Sequence, residues 1–276
     1  MRTDLVVIKL GGASLLDPAT RDQVVKTVRD YRRYDYDVVL VHGGGPAINA
    51  ELTRRNISWS FVNGQRVTSH EMINVIEKVL FGQINQELVA ALNEGGVPAM
   101  GLSGAKNNLL VCSQAQEALG QVGLVQSVNT EMVQALLTPE KNVVPVIAPI
   151  GIGENAELYN INADWAAAKI AGALKAKKLI FLTDQNGILD QNQQLIELTS
   201  ERDLQSLLTS GTVSGGMYTK VQTVVDALVH GVSQVRILRG TKAYDGLWSD
   251  YVGTMCLSAS STMCKIDNTG GDTCLT

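Results

Sequence analysis

The sequence predicts an α/β protein: a three-layer αβα sandwich built on a mainly parallel central sheet. Two observations carry that prediction. Short Val- and Ile-rich runs alternate with segments of helical period along most of the chain, which is the pattern of repeated strand, helix and strand. The runs are also apolar at consecutive positions, as in Leu5-Val6-Val7-Ile8, and unbroken apolarity marks strands covered by helices on both faces.

Taken in order, the strands fall at 5–10, 38–41, 97–102, 143–150, 179–183 and 235–238. The first helix opens at Asp17-Pro18, an N-cap followed by a residue whose fixed φ suits the first helical position, and it buries Val24, Val25 and Val28. A long helix follows, with capping-box spacing at Thr68 and Glu71, an apolar stripe of Ile73, Ile76, Leu80, Ile84, Leu88 and Leu92, and a Gly95-Gly96 stop. Between them Asn63-Gly64 is a hairpin dipeptide, so Arg66 is expected on a β-ribbon beside the main sheet. Residues 257–276 are polar with no periodic face and read as an edge hairpin or a surface tail.

Composition narrows the partner. A formal net charge of -4 without clustered Lys or Arg gives no footprint for nucleic acid. No apolar run approaches the roughly 20 residues that span a bilayer, and no signal peptide is visible, so a cytoplasmic protein without membrane contact is expected. Cys112, Cys256, Cys264 and Cys274 lack C-x-x-C spacing and read as reduced thiols. A small metabolite is the expected ligand.

Several segments have the chemistry to hold one. Lys9-Leu10-Gly11-Gly12 closes the first strand, at the carboxyl end where open α/β sheets bind ligands. His42-Gly43-Gly44-Gly45-Pro46 ends the second strand and starts a helix, offering free N–H groups to a phosphate or a carboxylate. His42 itself reads as a packing or hydrogen-bonding group. Asn160-Ile161-Asn162-Ala163-Asp164 and Gly215-Gly216-Met217-Tyr218-Thr219-Lys220 each lead into a helix, and Lys220 is expected in a first turn, where a cation opposes the helix dipole unless an anion sits beside it. Thr183-Asp184-Gln185-Asn186-Gly187-Ile188-Leu189-Asp190 is a turn-rich loop after another strand. No GxxxxGK[ST] and no GxGxxG after a strand occurs, which disfavours P-loop and Rossmann nucleotide sites.

In this order and spacing, KLGG, VHGGGP, NGQRVT, NINAD, TDQNGILD and GGMYTK resemble the amino acid kinase family, in its branch acting on N-acetyl-L-glutamate. The likeness runs from residue 5 to about 238, with Gly253-Thr254-Met255 similar to the family's terminal strand. It implies the family's fold, a lobe at 1–175 for the acylated amino acid and for dimerisation, and a lobe at 176–276 for ATP. By position, Lys9 and Lys220 would neutralise the transferring phosphoryl group and Asp164 would hold both lysines. Gly44 and Gly45 would bind the reacting carboxylate, Arg66 the α-carboxylate and Asn160 the acylamino group. Gly11 and Gly12 would lie on the nucleotide phosphates. Thr183, Asp184, Gln185, Asn186, Gly187, Ile188 and Leu189, with Thr212, Val213 and Ser214, would surround adenine and ribose.

The implied reaction is ATP-dependent phosphorylation of a side-chain carboxylate in arginine biosynthesis, with Mg²⁺ carried by ATP. A carboxylate is ionised at neutral pH, so such a site needs no general base. The family often has Asp where Ser69 stands, and a GxDG-like stretch at Ala105-Lys106-Asn107-Asn108. Arginine-inhibited members of that family resemble one another in an extra N-terminal helix that interlaces dimers into a ring; the first strand here starts within five residues of Met1, so the resemblance implies a homodimer without arginine feedback. Two rival readings are a kinase of carrier-bound aminoadipate or glutamate in lysine biosynthesis, which resembles this chain but has RYTD at Arg66-Val67-Thr68, and a non-catalytic amino-acid-binding regulator on the same scaffold.

Overall fold

The computed structural model describes residues 4–12, 18–62, 64–240 and 252–258, and the backbone of strands at 263–266 and 272–275. Asp17 and Asn63, expected as a cap and a turn residue, lie outside the described residues, as does half of the 257–276 tail.

An eight-stranded sheet forms the middle layer. At its centre β1 (Asp4–Leu10) pairs in parallel with β2 (Tyr36–His42) on one side and β11 (Lys178–Thr183) on the other. Beyond β2 lie β8 (Val144–Ala148) and the edge strand β5 (Ala99–Ser103), and beyond β11 lie β13 (Gln234–Arg239), β14 (Thr254–Leu257) and the edge strand β12 (Leu198–Ser200). Within this sheet only β13 and β14 run antiparallel, so the mainly parallel expectation holds.

The unbroken apolar runs divide strictly between two cores. Val6, Ile8 and Leu10 of β1, with Val38 and Leu40 of β2, pack with α1 (Pro18–Arg33), α3 (His70–Glu77) and α4 (Gln86–Glu94). Val7, Val39 and Val41 face α5 (Glu131–Leu137), α6 (Ala163–Ala173) and α8 (Gly215–Val229) on the other side. Successive side chains of a strand point to opposite faces, so a strand with a core on each side is apolar at every position. In α6, Ala166, Ala167, Ala168 and Ala171 are all buried, and their small side chains let this helix lie close against β1.

Three expectations are corrected. The run at 143–150 is not one strand: it breaks at Pro149, after which β9 (Ile150–Ile152) joins a separate four-stranded sheet with β10 (Leu158–Asn160), β6 (Leu110–Gln114) and β7 (Gly123–Val128). The long helix is capped by Ser69, whose hydroxyl accepts from the Met72 N–H, and not by Thr68. Thr68 is unavailable because its backbone bonds Leu119 and Gln121 across a bridge to Gly120. That helix also changes character, with a π-helical segment (Lys78–Asn85) joining α3 to α4.

At the C-terminal end, Met263–Ile266 and Asp272–Leu275 pair antiparallel in a two-stranded sheet of their own, not at an edge of the main sheet. No helix among the described residues is long and apolar enough to cross a membrane.

Candidate active site

Chain order places the site. From β1 the chain builds one half of the large sheet through β2, β5 and β8, then returns to the far side of β1 to lay down β11 and β13. Ligands of open α/β sheets bind outside the carboxyl ends of strands where the order reverses. Here Lys9 of β1, in register with Val41 and Phe181, and Thr183 at the end of β11 meet the amino-terminal ends of three helices. These are α2 (Gly45–Arg54) with N-cap Gly44, α6 with N-cap Asn162, and α8 with N-cap Ser214. Exposed N–H groups at such ends favour anions.

At the centre one carboxylate holds two ammonium groups. Asn162 caps α6 by accepting from the N–H groups of Asp164 and Trp165, which sets Asp164 in the first turn. Lys220 Nζ donates to Asp164 Oδ2 at 2.6 Å, and Lys9 Nζ lies 2.8 Å from Oδ1 as an ion pair without hydrogen-bond alignment. Lys220 Nζ also sits 5.2 Å from the centre of the Phe181 ring. Burial by itself would raise the Asp164 carboxyl, but Lys9 and Lys220 outweigh it and hold it at about 2. Burial lowers the Lys220 ammonium, opposed by Asp164. Lys220 lies in the second turn of α8, not the first as the sequence suggested, so it is held by its carboxylate partner and bears little dipole penalty.

Two cavities meet there. One of about 590 Å³ is lined by Lys9, Gly12, Gly43 to Pro46, Arg66, Asn160 and Asp164, with an apolar wall that includes Ile48, Leu80, Val122 and Leu124. One of about 580 Å³ is lined by Thr183, Asp184, Gln185, Gly187, Leu189, Thr212, Val213, Ser214 and Lys220. Asn162, Asp164 and Gly64 face both. Of the named residues, Gly11, Asn186 and Ile188 line neither. Asn186 is exposed, and Ile188 is buried in the core with its N–H bonded to Thr254 Oγ1.

Arg66 is the cationic end of the first cavity. It sits on β4 (Gln65–Arg66), paired with β3 (Phe61–Val62). Its guanidinium lies 4.7 Å from the Phe61 ring centre and 5.3 Å from that of Trp59. Nη2 donates to Asn49 Oδ1 and, at 3.4 Å, to the Gly45 carbonyl. Nη1 is buried and has no hydrogen-bond partner among the described residues, leaving a donor for a ligand. Asn160 ends β10, its Nδ2 3.2 Å from Thr68 Oγ1.

Gly12 is placed against the glycine turn, in the first cavity. A Cβ there would stand 2.6 Å from Gly44 N and 2.9 Å from Gly45 N, so backbone would have to yield. At Gly44 a Cβ would meet only the ends of Leu80 and Ile84, at 2.4 and 2.6 Å, which can turn aside. Gly12→Ala is therefore expected to cost about 1–3 kcal/mol by overpacking and to disturb the turn more than Gly44→Ala does. Denaturant melts of the two variants check this.

Sequence reasoning passed over Asn49, Trp59, Phe61, Leu124 and Trp165. Only the aromatic pair beside the ribbon that carries Arg66 left a usable signal, since Phe61 is the cross-strand partner of Arg66 and aromatic rings favour a neighbouring guanidinium.

The fold beneath this site is that of the amino acid kinase family, and the chain belongs to it: the family model matches residues 4–239. Its similarity to known proteins is more particular than that. It is 39% identical over 259 residues to the acetylglutamate kinase of Campylobacter curvus, covering 92% of each chain. It is 40% identical over 250 residues to the acetylglutamate kinase of Bacillus licheniformis, covering 90% of this chain and 95% of that one. A solved protein from Streptococcus mutans UA159 shares its structure with a TM-score of 0.80 at 27% identity, over 94% of this chain and all of the other.

Proposed function

We propose that this chain is a kinase that transfers the γ-phosphoryl group of ATP to the side-chain carboxylate of N-acetyl-L-glutamate, in arginine biosynthesis. The observation that carries the reading is the Lys9–Asp164–Lys220 cluster at the junction of two cavities, one ending in an arginine donor without a partner among the described residues. Full-length similarity to acetylglutamate kinases supports the substrate.

In this reading the acylated amino acid fills the first cavity and ATP the second. Arg66 Nη1 takes the α-carboxylate, Asn160 the acylamino group, and the N–H groups of Gly44 and Gly45 hold the reacting carboxylate. A carboxylate oxygen attacks the γ-phosphorus, forming a C–O–P linkage as the bond between that phosphorus and its bridging oxygen breaks. The products are an acyl phosphate and ADP, and no proton moves. Lys9 and Lys220 meet the charge on the phosphoryl oxygens, and Asp164 fixes where the two ammonium groups stand. Catalysis is then positioning plus charge stabilisation.

Mg²⁺ entering with ATP would supply positive charge to the transferring phosphate, and such an ion needs few protein carboxylates. The described residues contain no cluster of three or more metal-binding side chains, and Asp184 is the carboxylate of the nucleotide cavity that is not already held by lysines. Residues 1–175 would carry the amino-acid substrate and the dimer contact, and 176–276 the nucleotide. A homodimer draws support from the edge strand β5, which exposes Met100.

Hydroxylamine trapping of the acyl phosphate tests the function, run with ATP and Mg²⁺ across N-acetylglutamate, glutamate, N-acetylaspartate and aminoadipate derivatives. N-acetylglutamate is expected to give the strongest product. No product with it would overturn the substrate assignment. Arg66→Ala is expected to raise the KM for N-acetylglutamate about 10-fold or more, the scale of a lost charge-assisted pair, with the KM for ATP little changed. An unmoved KM for the amino acid would remove Arg66 from this role.

A further inference from the structure

The glycine turn is held from below by a buried polar chain that the reaction itself does not use. His42, the last residue of β2, is fully buried, and its Nδ1 lies 3.0 Å from the Gly43 carbonyl oxygen. Its Nε2 lies 3.1 Å from Asn85 Nδ2, which also donates to the Val146 carbonyl on β8 at 2.9 Å. An amide nitrogen only donates, so Nε2 must accept from Asn85 and the ring proton must sit on Nδ1, where it donates to Gly43. Burial lowers the His42 imidazole to about 4, so the ring is neutral near pH 7.

The Gly43 carbonyl belongs to the same peptide unit as the Gly44 N–H. With no cis peptide among the described residues, that carbonyl and that N–H point in opposite directions. Anchoring the carbonyl on His42 therefore aims the Gly44 N–H away from the ring.

The π-helical segment makes this support possible. A π turn carries more residues than an α turn, so Leu80, Ile84 and Asn85 all reach the layer beneath the turn: the first two against Gly44, the third against His42. Gly101 on β5 leaves room for the amide, because a Cβ there would stand 2.0 Å from Asn85 Oδ1.

We propose that Asn85 and His42 are positioning residues for the Gly44 N–H: Asn85 fixes the imidazole tautomer, and the imidazole fixes the peptide that presents this donor. The inference rests on the reading that the Gly44 N–H receives the reacting carboxylate. Asn85→Asp sets an acceptor opposite Nε2, moving the proton there and turning a bare Nδ1 toward the Gly43 carbonyl. His42→Asn keeps a nitrogen donor near the place of Nδ1, whereas His42→Leu removes it.

The test joins ¹⁵N NMR of the imidazole with steady-state kinetics of the full chain, which has three histidines. The expected results are an Nδ1–H tautomer in the wild type, and a kcat for N-acetylglutamate lowered about 10-fold or more in Asn85→Asp and His42→Leu. The KM for ATP should stay within about twofold, and His42→Asn should recover part of the loss. A merely structural role would change the melting temperature without that kcat-specific loss or its recovery. An Nε2–H tautomer in the wild type overturns the proposal, as does a folded Asn85→Asp with kcat within twofold of wild type. If Asn85→Asp does not fold, equal kcat in His42→Asn and His42→Leu overturns it. A wild type that makes no acyl phosphate overturns the functional reading and this inference together. An active wild type with unaffected variants overturns this inference alone.

Discussion

Lys220→Ala is expected to lower kcat by about 10²-fold or more, the scale for deleting one preorganised group that stabilises transition-state charge. Lys9→Ala should fall in the same range. Both ammonium groups stand within 2.8 Å of one carboxylate, so their combined charge exceeds that of Asp164 by one unit where the two cavities join. Removing either lysine leaves the cluster neutral, and a transferring phosphoryl group then meets no excess positive charge. Because Lys220 is buried, little water can replace its ammonium. Steady-state kinetics with saturating ATP and N-acetylglutamate check this, and a kcat within threefold of wild type would remove the lysine from its role.

Asp164→Ala is expected to lose about 3–5 kcal/mol of folding stability, the scale for stripping the counter-charge from a buried pair, and to lose activity with it. The loss should depend on pH in a determined direction. The folded carboxyl is held at about 2, below its ordinary 3.8. A depressed carboxyl contributes stability above its unfolded value, so the wild-type advantage is present above pH 4 and lost as pH falls through 2. Linkage puts the pH-dependent part at about 2 kcal/mol. Urea denaturation of wild type and Asp164→Asn at pH 7 and pH 3 should show the gap narrowing at the lower pH. A gap that widens there would contradict the ion-pair account.

Much of this molecule was legible in the chain. β1, β2 and β11 were readable because strands with a core on each face run nearly unbroken in apolar residues, and β13 by its Val235, Ile237 and Leu238 despite the intervening Arg236. The strand-end and helix-start motifs that hold Lys9, Gly44, Arg66, Asp164 and Lys220 were readable because special backbone at a turn demands Gly, Pro, Asn or Asp. The second sheet was not. Its strands β9 and β10 are three residues each, and β7 is largely polar or half-exposed, so neither length nor alternation separates them from loop.

By itself the sequence determined the layered α/β class and the order of the glycine and lysine motifs, because both follow from local rules: strand and helix periodicity, and turn chemistry. The tertiary structure decided what those rules cannot reach. It set Lys9 and Lys220, 211 positions apart in the numbering, on one carboxylate. It moved Gly12 to the side of Gly44, and it put the apparently polar Asn85 wholly inside beneath His42. Each of these depends on which elements pack side by side and on a π segment that shifts the helix phase, and a burial pattern read along one helix carries no information about the partner that will satisfy a buried amide.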